Sequence, residues 1–443
     1  MTTTEQTTAE QLRELNEVKL RESLERTGST PQQLFAEREK RLIDAIELRQ
    51  PDRVPVIMAA SYFAARYAGL TASSVYYEPS AYREAVRMTA LDFEPDLIRG
   101  AAGASAGDAL AALDSRQTRW PGGTLPPDVT HQFVEGEYMK EDEYDIFLRD
   151  PTDFTLRYYL PRVCGALEPL AEFPPIWASS GYSVSGAALD MFLRPEFQEV
   201  ARRLVAAAEG QRRWRDAMAG FEDELAATGF PRLAMTAGVG GSPFDAVSDF
   251  YRGMRGSMLD MFRRPEKLLA VCEKVFEMRM AAAEGAPRPG PGLHLHFMPL
   301  HRGATSFMSK EQFERFYWPG LKKTILAAID MGYTPMPFFE GHFGDRLEYL
   351  LELPKGKVLC HFEHTDMALA KKVLGGHLCI MGNVPSSLIQ IGTTTEVEDY
   401  CKKLIEDCAE GGGYILTHGS ALDEAKPQNV KAMVDSVKKY GWY

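Results

Sequence analysis

The C-terminal third of the chain constrains the fold more than any other stretch. Short apolar segments at 293–297, 334–339, 357–362, 378–381 and 414–417 alternate with longer amphipathic segments at 310–331, 345–353, 368–374, 396–410 and 427–440. Apolar runs of that length set between helices are the pattern of parallel strands covered on both faces. Ser309 and Gln312 are spaced as a capping box for the first of these helices. Further strands are expected at 54–58, around Asp96 and at 233–236, which brings the count close to eight. Closing such strands on themselves leaves no open edge, so the expected fold is α/β, a (β/α)8 TIM-like barrel.

Ahead of the first strand, residues 10–26 read as a strongly charged helix that Gly28-Ser29-Thr30-Pro31 interrupts. Thr30 then caps a second helix with Pro31 at its first position. The expected organisation is an N-terminal helical extension over 1–50 and a barrel over 51–443. Between 51 and 289 helices are expected at 81–93 and 194–227, with a hairpin excursion within 118–150. The glycines of AGVGGSPFDAVSDFYRG (residues 237–253) match neither standard nucleotide fingerprint and suit a tight strand-to-helix turn beside a ligand.

Charge and composition remove several function classes. A net charge of −12 argues against non-specific binding to nucleic acid or anionic membranes. No apolar run approaches the roughly 20 residues of a membrane span. The polar, acidic start MTTTEQTTAEQLRELNE is unlike a secretory signal, and the six cysteines form no CxxC pair, so a reduced, cytoplasmic protein is expected.

Eight of the nine histidines lie between His294 and His418. In a barrel the working groups sit where strands end, at the C-terminal rim. The residues expected there are His296, His301 and Arg302, then Glu340 and His342, Glu363 and His364, Asn383, and finally His418 and Ser420. Cys360 and His361, inside the apolar segment at 357–362, read as barrel packing. A carboxylate beside a buried strand is costly unless it finds a partner, a proton or a metal. Carboxylate oxygen with imidazole nitrogen is a donor set that Zn²⁺ accepts.

Four ordered stretches resemble the uroporphyrinogen decarboxylase superfamily, which includes corrinoid-dependent methyltransferases. They are ELRQPDRVPVIM (47–58), GGSPFDAVSDFYRGMRGSMLDMFRRPEKL (240–268), LGGHLCIMGNVPSSL (374–388) and GGGYILTHGSALDEAKPQNVKAMV (411–434). The resemblance implies a (β/α)8 barrel with an N-terminal helical addition, often homodimeric. The decarboxylases carry an arginine-rich segment after the first strand; here that place reads AASYFAARYAGL, with Arg66 alone. The thiol-directed methyltransferases hold zinc with His-x-Cys after the fifth strand and Cys after the eighth. Here those places read Phe338-Phe339-Glu340 and Gly419-Ser420, so the sulfur ligands are gone.

What the resemblance leaves is an oxygen and nitrogen set. It implies Glu340, His342, Glu363 and His418 as metal ligands, zinc as the metal, and Glu340 and His418 as the catalytic pair. His296, His301, Arg302, Phe338 and Asn383 are expected to contact substrate. The implied activity moves a methyl group from a small O- or N-methylated substrate to the cobalt of a corrinoid (cobalamin) carried by a partner protein. Without a metal, Glu340 would serve as general acid. A cobalamin-independent decarboxylase of a small carboxylate or tetrapyrrole-like substrate, methyl transfer in the reverse direction, and a non-catalytic binding module remain open at this point.

Overall fold

A computed structural model of the chain describes residues 3–100, 105–174, 189–231 and 237–443. Its centre is a parallel sheet of five strands in chain order: β5 (Leu295–Leu300), β6 (Thr334–Phe339), β7 (Leu359–Phe362), β8 (Cys379–Val384) and β9 (Tyr414–His418). Strands β1 (Ile57–Ala59) and β2 (Leu97–Arg99) form a second parallel pair. The two join where Leu416 N donates to Pro55 O at 2.9 Å, beside a parallel bridge from Val56 to Leu416. A short antiparallel pair, β3 (Thr118–Arg119) with β4 (Gln132–Phe133), makes the expected excursion. The chain is thus an α/β protein built on a parallel sheet. Among the described residues nothing pairs β2 with β5, so the expected eight-stranded closure is not present there. The strand expected at 233–236 lies outside the described residues.

Strand β6 shows how sequence sets pairing. Thr334 N donates to His294 O and Glu340 N to Leu300 O, so the even-numbered amides face β5. The odd positions facing β7 are Pro335 and Pro337, which have no N–H to give. Pairing with β5 therefore runs all along β6, while pairing with β7 is confined to Phe338–His361 and Phe339–Phe362, at the rim end.

The two N-terminal helices are α1 (Thr3–Thr27) and α2 (Pro31–Ile46), the second capped by Thr30 and Gln33 in a reciprocal capping box. Helix α1 lies along helix Pro79–Phe93, where Asn16 Nδ2 donates to Glu84 Oε2 at 3.0 Å. Leu42, Ala45 and Ile46 of α2 pack with Ile57, Leu97, Leu295, Met336, Leu359 and Ile415, one residue from each of six strands. A buried ion cluster fastens the same end. Asp96, fully buried, accepts from Arg41 Nη1 at 2.5 Å, from both terminal nitrogens of Arg53, and from Val56 N at 2.8 Å.

Side chains alternate across a strand. Ile57, Leu97, Leu295, Met336, Leu359, Met381 and Ile415 belong to the concave cluster. Val56, Met58, Met298, Leu300, Phe339, Cys360, Phe362, Ile380, Val384 and Leu416 belong to the layer between sheet and helices. Three helices differ from expectation. The 194–227 stretch breaks at Gly220, whose φ of 74° separates Pro195–Met218 from Phe221–Ala227. The 310–331 helix widens to a π turn over Phe313–Tyr317, just before Pro319, a residue that cannot donate to the preceding turn. The 345–353 helix is wound as a 3-10 helix, Gly344–Glu352.

Candidate active site

The strand phase sorts the expected residues. Glu340 follows Met336 and Phe338 on the concave side, and Glu363 follows Leu359 and His361. His301 follows Leu295, Phe297 and Pro299. These three meet at the rim. His301 Nε2 lies 3.5 Å from Glu340 Oε1, and His301 Nδ1 lies 2.6 Å from Asp249 Oδ2. Glu363 Oε2 accepts from Gly341 N at 2.8 Å, so the turn after β6 is tied to the end of β7. Gly341 has a φ of 80°, which lets the chain turn there between Glu340 and His342.

The electrostatics of this group follow from burial and neighbouring charge. Desolvation pushes the Glu340 carboxyl up to about 7; His301 opposes the rise, and Glu363, Asp245 and Asp249 add to it. Burial alone would lower His301, but the hydrogen bond to Asp249 and the charges of Glu340, Asp249 and Asp245 carry it up to about 9. Asp245, fully enclosed, is raised to about 6 by burial and then by Asp249. Between pH 7 and 9 Glu340 and His301 thus hold one proton between them, and below 7 they hold two.

Asp245 and Asp249 do not figure among the residues expected from sequence. They sit four apart on Pro243–Ala246 and the π turn Val247–Arg252, immediately after the Gly-Gly turn. Ser242 caps that segment through Asp245 N. Asp245 accepts from Tyr317 OH at 2.6 Å, His301 N at 3.1 Å and Arg302 N at 2.9 Å, which holds the loop after β5 in place. The i, i+4 spacing of two acids after a glycine turn was the available signal.

The remaining expectations divide. His296, expected to contact substrate, is on the helix-facing side; its Nδ1 accepts from Ala237 N and its Nε2 donates to Gly240 O, both at 2.9 Å. Arg302, likewise expected at substrate, is committed to Asp249 at 3.1 Å, Glu135 at 3.3 Å and Ser248 at 3.2 Å. Asn383 spends both amide hydrogens on the carbonyls of Glu363 and Thr365, so it positions the loop after β7. Phe338 lines the concave side, stacked on Phe297 and His361.

His418 is in phase with Tyr414 and Leu416, away from the concave face. Its Nε2 accepts from Ala59 N at 3.0 Å and its Nδ1 donates to Ser420 O. Burial holds it neutral, with its pKa lowered to about 4. Both ring nitrogens are therefore committed to backbone, which leaves neither for a metal or for proton transfer. His342 is exposed and its ring lies 5.7 Å from that of His364. The four donors expected to hold zinc are thus not assembled. Among the described residues no group of three or more His, Cys, Asp and Glu is arranged to hold a metal ion. The donor set does not fit zinc.

Residues 224–440 match the family model for uroporphyrinogen decarboxylase (URO-D). Over this segment, just under half of the chain, the sequence is similar to the uroporphyrinogen decarboxylase family. The matched segment contains β5 to β9 and every rim residue discussed above. Among solved structures, a methyltransferase from Methanosarcina mazei superposes with a TM-score of 0.55 at 14% sequence identity, covering 91% of this chain and 98% of that one. That likeness is one of fold. No curated protein matches the chain. No described helix is long and apolar enough to cross a membrane.

Proposed function

We propose that this chain is a methyltransferase that takes the methyl group of a small O- or N-methylated substrate and passes it to the cobalt of a corrinoid on a separate protein. The observation that carries the reading is the run Asp249–His301–Glu340 at the rim, a carboxyl group with a raised pKa backed by a charged imidazole. The family of residues 224–440 and the fold shared with a methyltransferase support it. We also propose that the parallel sheet closes as an eight-stranded (β/α)8 barrel.

A methyl ether or amine is a poor substrate for displacement because its leaving group departs as a strong base. A proton delivered to that oxygen or nitrogen as the methyl bond breaks removes the difficulty. Glu340 is the donor: its carboxyl is protonated below about pH 7. His301 re-protonates it, and Asp249 orients the imidazole by accepting from Nδ1. Glu363 raises Glu340's proton affinity and fixes Gly341. The corrinoid supplies a nucleophilic cobalt that accepts the methyl carbon. No step is assigned to zinc.

The test is demethylation of a panel of methyl ethers and methylamines with chemically reduced cobalamin, followed by cobalamin absorbance. Glu340→Gln is expected to lower the rate about 10²–10⁴-fold, the usual loss for a general acid. Carbon dioxide release from a carboxylate substrate without any corrinoid would overturn the reading in favour of a decarboxylase.

A further inference from the structure

The concave face can be followed upward strand by strand. Leu97, Leu295, Met336, Leu359 and Ile415 form its lower layer. Two residues further along, on the same side, come Arg99, Phe297, Phe338, His361 and Thr417. Another step brings Glu340 and Glu363. In the middle layer the Arg99 guanidinium lies 4.3 Å from the centre of the Phe297 ring. Phe297 stacks on Phe338 at 6.1 Å, and Phe338 on His361 at 4.3 Å.

Two polar atoms in this layer are left over. Arg99 Nη1 and His361 Nδ1 are buried without a hydrogen-bond partner among the described residues. His361 Nε2 faces His418 O at 3.1 Å and donates to it, so Nδ1 carries a free lone pair. Burial draws the Arg99 guanidinium down to about 10, and no charge among the described residues offsets it. Two histidines on which its charge acts, His361 and His418, are both held below the usual imidazole range by burial, with Arg99 contributing to each. A guanidinium in an aromatic layer, with no carboxylate beside it among the described residues, is costly until an anion joins it. Arg99 and Phe297 also keep partial exposure on this inner face.

We propose that this layer is the anion subsite of the methyl donor: the donor carries a carboxylate that pairs with Arg99, and a hydroxyl or amide N–H of the same molecule donates to His361 Nδ1. Naming the ligand as the methyl donor rests on the methyltransferase reading; the anion site itself does not. Glu340 lies two residues above Phe338, about 7 Å along the strand. The planar fork of arginine suits a carboxylate held this way.

Benzoate and benzamide share a shape and differ in charge, so they are the probes. Calorimetric titration of the full chain, without cobalamin, is expected to show benzoate binding at least about tenfold more tightly than benzamide. Arg99→Met should abolish the preference, and Arg99→Lys should keep part of it. Without ligand, Arg99→Met should melt no lower than the wild type, because it removes an unpaired buried charge. Equal binding of the two probes, no benzoate binding, or a preference that survives in Arg99→Met would overturn the proposal. So would a lower melting temperature or failure to fold in Arg99→Met, since either would mean that Arg99 already has a structural partner. If the probes behave as expected while methyl transfer fails, only the reaction falls. If methyl transfer proceeds while Arg99 is indifferent to benzoate, only the anion subsite falls.

Discussion

The proton held between Glu340 and His301 can be moved in opposite directions by neutralising its two neighbours. The charged His301 opposes the rise of Glu340, and Glu363 adds to it. His301 Nε2 and Glu340 Oε1 are 3.5 Å apart. Unit charges at that separation interact by about 1 kcal/mol in water and about 5 kcal/mol at an effective dielectric constant near 20. The Glu340 side chain is 38% exposed, which puts the interaction toward the water-like end. One pH unit corresponds to about 1.4 kcal/mol. His301→Gln should therefore raise the Glu340 midpoint by roughly one unit, from about 7 toward about 8. Glu363→Gln should lower it. The assay is a carbon-13 NMR titration of side-chain-labelled glutamate, with the Glu340 signal assigned by its loss in Glu340→Gln. It needs no substrate. The descending limb of kcat/KM should follow the same two shifts in any productive assay. A midpoint that stays put in both variants, or moves the same way in both, would refute the relay.

Other expectations bear on neighbouring links. Asp249→Asn removes the acceptor that fixes the His301 tautomer and the main partner that raises its pKa; His301 should titrate well below about 9, read by proton NMR of the imidazole. Asp96→Ala leaves Arg41 and Arg53 unpaired in the buried base of the sheet and should cost about 3–5 kcal/mol of stability in denaturant titrations. The native Asp96 carboxyl, which burial alone would raise, is held below its usual range by these arginines, so their contribution is present above the unfolded pKa and lost as pH falls through the folded one. Purified protein analysed for metals should hold less than one zinc per chain, and a chelator should leave methyl transfer unchanged, because Glu340, His342, Glu363 and His418 are not brought together as a ligand set among the described residues. His418→Asn should impair folding more than chemistry, seen as a lowered melting temperature with kcat retained in the folded fraction, since its ring serves two backbone groups.

The periodic parts of the chain were legible because local pattern and tertiary role coincide there. Strand β6 and helix Pro427–Tyr440 end where the apolar periodicity ends, and the Ser309–Gln312 capping box forms as spaced. Glu340 was legible as an acid at a strand end. His296 and His418 were legible only as histidines near strand ends. Which face each takes depends on strand phase, and phase becomes visible once neighbouring strands are in register. Asp245 and Asp249 were hidden for a different reason. Their partners, His301 and Tyr317, lie 52 and 72 residues away, and nothing local announces a contact across that distance.

The sequence by itself determined the order of strands and helices, the helix caps, and the presence of acids and imidazoles near strand ends. These follow from short-range forces: side-chain alternation and capping hydroxyls. The tertiary structure decided which of those rim groups meet. It withdrew His296 and His418 into backbone hydrogen bonds, joined Asp249, His301 and Glu340 into one proton-holding run, and left Arg99 facing an aromatic layer with no counterion among the described residues. Those outcomes depend on distances across the sheet and on the dielectric of the space between, quantities that arise only when the strands lie side by side.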